Sequence, residues 1–115
     1  MKVLFCGDRN WDNEAPIRTA LLELLPDTII IHGGARGADK IAGRIAKEMG
    51  FTVVEVPANW EKYGKAAGSI RNREMLSLGP ELVFAFHKNI NESKGTKHML
   101  KIAKDAGIDT ILITE

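Results

Sequence analysis

The residues best suited to chemistry gather in one stretch, Thr28-Ile-Ile-Ile-His-Gly-Gly-Ala-Arg-Gly-Ala-Asp39. It opens as a β-branched run, the composition of a buried strand. It turns through three glycines in five residues, Gly33, Gly34 and Gly37. Then Ile41, Ala42, Ile45, Ala46 and Met49 recur at helical spacing. Strand, glycine turn and helix together form a phosphate-binding geometry. Glycines let the backbone approach an anion, and a helix start offers unpaired N–H groups and partial positive charge. Arg36 adds forked donors beside that anion.

Three other segments carry residues of the same character. Gly7-Asp-Arg-Asn-Trp11 leaves the first strand and brings Gly7, Arg9 and Trp11. Ser69-Ile-Arg-Asn-Arg73 puts Arg71 and Arg73 in the first turn of a helix, where cations oppose the dipole unless an anion is near. Asn72 between them is a ligand contact or a structural hydrogen-bonder. Gly95-Thr96 opens a further helix, and Thr96 can cap it and touch a phosphate. Asp39, in the first turn after the glycines, is explained by the helix dipole and is also a candidate ligand contact. Trp11, Trp60 and Tyr63 sit in polar loops, where they can stack on a base or pack as a lid.

These residues need elements to hold them. Strands are expected at Lys2–Cys6, from Thr28 to His32, at Phe51–Val56, Glu81–Phe86 and Asp109–Ile113. Helices are expected between them. The first is capped by Asp12 or Asn13, with Ile17, Leu21, Leu22 and Leu25 as its apolar face. The second ends at Gly50, the third spans Ser69–Leu78, and the fourth runs from Gly95 to Gly107. Five apolar strands alternating with four helices predict an α/β fold. It is a Rossmann-like doubly wound five-stranded parallel sheet, ordered 3-2-1-4-5, with helices on both faces. Ligands of such sheets sit beyond the carboxyl ends of the strands, where the order reverses, here between strands one and four.

At 115 residues a single domain over 1–115 is expected. Net charge is +1, which argues against a general nucleic-acid coat. The charge is unevenly spread: Gly7–Trp11, Gly33–Asp39, Ala58–Arg73 and His87–Lys97 together hold nine basic residues and four acids. All four segments belong at the expected ligand end, which favours an anionic ligand there. Cys6 is the only cysteine, in keeping with a reducing cytoplasm. Met1–Gly7 is too soon interrupted to read as a signal peptide, and no apolar run is long enough for a membrane helix.

Known motifs are excluded in turn. G-x-G-x-x-G would need glycine where His32 stands, and no Gly-Lys-Ser/Thr follows the turn, so neither a dinucleotide fingerprint nor a P-loop is present. His32, His87 and His98 lack metal-ligand spacing, so no metal and no required cofactor are expected.

The pieces Cys6-Gly-Asp-Arg-Asn-Trp11, Gly33-Gly-Ala-Arg-Gly-Ala-Asp39, Arg71-Asn-Arg73 and Gly95-Thr96 resemble the SLOG superfamily, and within it the small YspA-like single-domain group of phage and bacterial genomes. The resemblance runs through nearly the whole chain. It implies a Rossmann-like fold that binds nucleotides or nucleotide-derived ligands, in relatives that tend to be dimers or larger. One branch, the LOG enzymes, hydrolyses nucleoside monophosphates. Another, the DNA-processing protein DprA, binds single-stranded DNA. A third senses NAD-derived signals.

By that resemblance Gly33, Gly34, Arg36 and Gly37 line the phosphate site, Arg71 falls on the essential arginine of the LOG enzymes, and Gly95 and Thr96 match the end of their Pro-Gly-Gly-x-Gly-Thr loop. Here that loop reads Asn91-Glu-Ser-Lys-Gly-Thr96, and the position of the catalytic glutamate holds Met99. Methionine can neither take a proton nor stabilise an oxocarbenium ion. The expectation is therefore a binder of a nucleotide or NAD/ADP-ribose-like molecule, sensing or sequestering it without catalysis. The alternatives are a phosphoribohydrolase-like enzyme, using Arg71 and Glu92, and single-stranded DNA binding.

Overall fold

The computed structural model describes residues 1–115. Five strands, β1 (Lys2–Gly7), β2 (Ile29–His32), β3 (Thr52–Glu55), β4 (Leu82–Phe86) and β5 (Asp109–Ile113), form one sheet in the order β3-β2-β1-β4-β5. Every pair is parallel. The expected doubly wound topology is observed.

Side chains alternate across a strand, so each strand feeds two cores. Val3, Phe5, Ile30, Phe84 and Phe86 face one side. There they meet Ile17 and Leu21 of α1 (Glu14–Leu22) and Ala42, Ile45 and Ala46 of α2 (Ala38–Glu48). Leu4, Cys6, Ile31, Val83 and Ala85 face the other side. They meet Met75 of α4 (Ala67–Ser77) and Met99, Leu100 and Ala103 of α5 (Gly95–Asp105). Burial on both faces is why the central strands read as unbroken apolar runs.

Several local expectations are revised. α1 stops at Leu22, so Leu22 and Leu25 are exposed, and Ile17, Ala20 and Leu21 form its buried face. Its cap is Asn13, whose Oδ1 accepts from Ala15 N at 3.2 Å. The loop after β3 contains a single helical turn, α3 (Trp60–Tyr63), followed by a 3-10 turn at Gly64–Ala66. That turn leads into α4 at Ala67, two residues before the expected start. Gly50, Gly79 and Gly107 follow their helices at φ of 88°, 82° and 75°, the left-handed stops that favour glycine. No helix is long and apolar enough to cross a membrane.

Candidate functional site

Two adjoining clefts open beyond the carboxyl ends of the strands. The larger, about 360 Å3, lies past Gly7 of β1 and Phe86 of β4, at the reversal of strand order. Its walls come from four loops: Asp8–Asn10, Ala35–Arg36 with Asp39, His87, and Ser93–Thr96, with Arg71 and Asn72 of α4 between them. The second, about 350 Å3, lies past β2 and β3, between Gly33–Ala35 and Pro57, Ala58 and Trp60. Arg9, Ala35, Arg36 and Arg71 belong to both.

The glycines serve the backbone more than a ligand. A Cβ on Gly37 would strike the Asp8 and Arg9 backbone, and one on Gly7 would strike the Phe86 carbonyl. Gly34 and Gly37 also hold φ of 71° and 85°. A Cβ on Gly33 would occupy the place of the Arg71 guanidinium. Gly33 and Gly34 still border the second cleft, whereas Gly37 lines neither.

Three of the N–H groups expected to face an anion are taken within the protein. Gly33 N donates to Asp39 Oδ2 at 2.8 Å, and Gly34 N donates to His32 Nδ1 at 2.9 Å. Ala38 N donates to Asp8 O at 3.1 Å. Asp39 thus fills the seat that a phosphate would take in this turn. It is only 4% exposed. Burial lifts its pKa to about 6, against the opposing pull of the Gly33 N–H, the Arg71 charge and the Ala35 and Gly7 N–H groups. The dipole accounts for part of Asp39; its clamp on the turn is the larger role. Buried His32 accepts from Gly34, so its proton sits on Nε2, toward Glu55 Oε1 at 3.9 Å. Burial holds its pKa below the ordinary value.

The free cationic groups lie along the rim instead. Arg71 sits on the fifth residue of α4, in its second turn rather than its first, so opposition to the dipole is small. Its Nη1 donates to Gly33 O at 2.7 Å and its Nε to Asn72 Oδ1 at 3.2 Å. Nη2 remains for a ligand. Asn72 is buried and passes the link on, Nδ2 donating to Gly95 O at 3.2 Å and meeting His98 Nδ1 at 3.1 Å. Arg36 is exposed and held only by long bonds to Arg9 O at 3.4 Å and Asn10 Oδ1 at 3.5 Å. Lys94 completes the lining. Arg73, Lys62, Lys65, Lys88 and Lys97 line neither cleft.

Ser93, unremarked in the sequence, caps α5: its Oγ accepts from Thr96 N at 3.0 Å and from Lys97 N at 3.4 Å. Thr96 is not the cap. It is buried at the cleft wall, and Gly95 N–H is the unclaimed donor of that first turn.

Trp11 is corrected outright. It is 2% exposed, packs on Phe86 at 5.7 Å between ring centroids, and donates Nε1–H to Asn13 O at 2.7 Å. It cannot stack on a ligand. Trp60 is 50% exposed and lines the second cleft. Glu92 lies in an exposed 3-10 turn and lines neither cleft. Met99 is fully buried in the core against Leu4 and Met75. One pair went unseen in the sequence because its members are 79 residues apart: His87 Nε2 stands 4.0 Å from Asp8 Oδ2 at the cleft wall. Only the adjacency of β1 and β4 brings them together.

Residues 1–63 match the profile of a family described as YspA, cpYpsA-related SLOG family. The chain is also 39% identical over 119 residues to the Gene 61 protein of Mycobacterium phage D29, an alignment covering 96% of this chain and 94% of that protein. The phage relative fits the phage or bacterial setting that the sequence resemblance implies. The chain belongs to the YspA, cpYpsA-related SLOG family.

Proposed function

We propose that this protein binds a nucleotide or a nucleotide-derived molecule of the NAD or ADP-ribose type, and holds it without transforming it. The observation that carries this reading is the pair of adjoining clefts that share Arg9, Arg36 and Arg71. The larger is polar and cationic, with the α5 N-terminus at its wall, and suits phosphate. The smaller offers an exposed indole and suits a base. The position of the LOG glutamate, sealed in the core as Met99, supports binding over hydrolysis.

Thermal shift with ADP-ribose, NAD, AMP and cyclic nucleotides tests it. A ligand at a hundred times its Kd stabilises the fold by ~2.7 kcal/mol. For a domain of this size the melting point then rises on the order of 10 °C. No shift with any of them at millimolar concentration would contradict the proposal.

The Asp8–His87 pair favours a second reading, hydrolysis of a bound nucleotide. Asn89 N donates to His87 Nδ1 at 3.1 Å, which leaves the Nε2 proton facing Asp8 and the cleft. Release of free base from AMP, lost in His87→Ala, would establish that reading. Intact AMP after prolonged incubation supports binding alone.

A further inference from the structure

The mouth of the second cleft holds a pairing that phosphate binding leaves unused. Arg9 comes from the loop after β1 and Trp60 opens α3. The guanidinium carbon of Arg9 stands over the indole, 6.0 Å from its centroid. Both side chains are exposed and both border the cleft. The Arg9 guanidinium has no carboxylate or carbonyl partner; only its backbone carbonyl is used, by Arg36. Trp60 is held in place from its own side. Asn59 Oδ1 caps α3, accepting from Lys62 N at 3.0 Å, and the edge of the indole lies beside Gly68 of α4.

We propose that Arg9 and Trp60 are the two jaws of a clamp that closes on the flat face of a nucleobase. The proposal rests on the nucleotide reading above and assigns the base to the second cleft, with the phosphates at Arg36 and Arg71. Stacked aromatic layers in nucleic acid lie ~3.4 Å apart, so a base between two jaws needs ~6.8 Å. Arg9 Cζ lies 6.0 Å from the indole centroid, so the gap between the planes is no wider than that. The jaws must therefore open to admit the ring, and a rotamer change of a long exposed arginine supplies the movement. Guanidinium and indole both stack on π-faces. Every base has such a face, so the clamp favours base-bearing ligands over bare sugar phosphates and tolerates the identity of the base.

The chain has two tryptophans and Trp11 is buried, so quenching of the exposed indole reports on the clamp alone. The four ribonucleoside 5′-monophosphates and ribose 5-phosphate are titrated into wild type, Trp60→Ala, Trp60→Phe, Arg9→Ala and Arg9→Lys. Emission and melting temperature are both read. The expected result is quenching by the nucleotides but not by ribose 5-phosphate, and its loss in Trp60→Phe while stabilisation persists. Trp60→Ala weakens nucleotide binding roughly 5- to 100-fold, in line with base–aromatic stacking, and leaves ribose 5-phosphate affinity unchanged. Arg9→Lys, which keeps the charge and loses the plane, behaves as Arg9→Ala does. Equal losses for nucleotides and ribose 5-phosphate on changing Arg9 would overturn the clamp, because Arg9 would then hold phosphate. Nucleotide binding without any change in Trp60 emission would overturn it too, and leave the nucleotide reading standing. No binding of any of the five would overturn both.

Discussion

Arg71 lays its guanidinium on the carbonyl of Gly33, Nη1 to O at 2.7 Å, in the space that any side chain at position 33 would fill. Through Asn72 the same arginine reaches Gly95 at the start of α5. One half-buried side chain therefore ties the glycine turn, α4 and the α5 N-terminus into a single rim. Gly33→Ala is expected to displace the guanidinium, the flexible end of a long side chain, with a modest stability loss of about 1 kcal/mol. Ligand-induced stabilisation should nevertheless vanish. Denaturant unfolding with and without ADP-ribose separates the two effects.

Gly37→Ala should behave differently. There the Cβ meets backbone rather than a mobile side chain, at φ of 85°. We expect a loss of about 3 kcal/mol with or without ligand, seen as a lower urea midpoint. Equal costs at Gly33 and Gly37 would contradict the distinction.

Asp39 gives a pH signature. Its pKa is about 6 folded against 3.8 for the free side chain, so between these values the folded state binds more protons than the unfolded one. Its contribution to stability is therefore full below pH ~4 and is lost as pH rises to about 6, a change of up to about 3 kcal/mol. Buried His32, with its pKa lowered, acts the other way and costs stability as pH falls below its ordinary 6.5. Comparing wild type with Asp39→Asn removes the histidine contribution from the difference. Urea midpoints at pH 4, 5, 6 and 7 should show wild type losing ground to Asp39→Asn as pH rises, with no further change above pH ~7.

Met99→Glu places a glutamate where the sequence resemblance would put the catalytic glutamate of the LOG enzymes. Because the side chain is fully buried between β1, α4 and α5, the carboxylate would enter the core without a partner. We expect a stability loss of more than about 3 kcal/mol and no gain of base release from AMP. A well-folded Met99→Glu protein that hydrolyses AMP would show that α5 can turn this position toward the cleft.

Ser93→Ala removes the α5 cap. The expected cost is about 1 kcal/mol, or a melting point lower by roughly 4 °C. Thr96→Ser, which leaves that cap in place, should cost less.

The strands, their order and the end at which the clefts open are legible in the sequence, because apolar runs and glycine stops act locally. Gly50 and Gly107 mark their helix ends from composition alone. What the sequence conceals depends on which atoms meet across the fold. Asp39 takes the N–H groups that a glycine turn would offer to an anion, and no spacing rule reveals a resident carboxylate. Trp11 sits in a polar segment but folds back onto Phe86. Arg71 falls at a helix start only while the preceding turn, with its irregular Gly64–Ala66 passage, is read as loop. Asp8 and His87 become neighbours solely through the pairing of β1 with β4.

Arg36 and Arg71 line both clefts, and in the proposed function they hold the phosphate of a small molecule. Isothermal titration of ADP-ribose and AMP into wild type and into the Arg36→Ala/Arg71→Ala double variant measures it directly. Saturable one-to-one binding to wild type is expected, weakened at least about 30-fold in the double variant, the equivalent of one to two charge-assisted contacts. Unchanged affinity in a folded double variant, or no heat from wild type with either ligand at millimolar concentration, would contradict it.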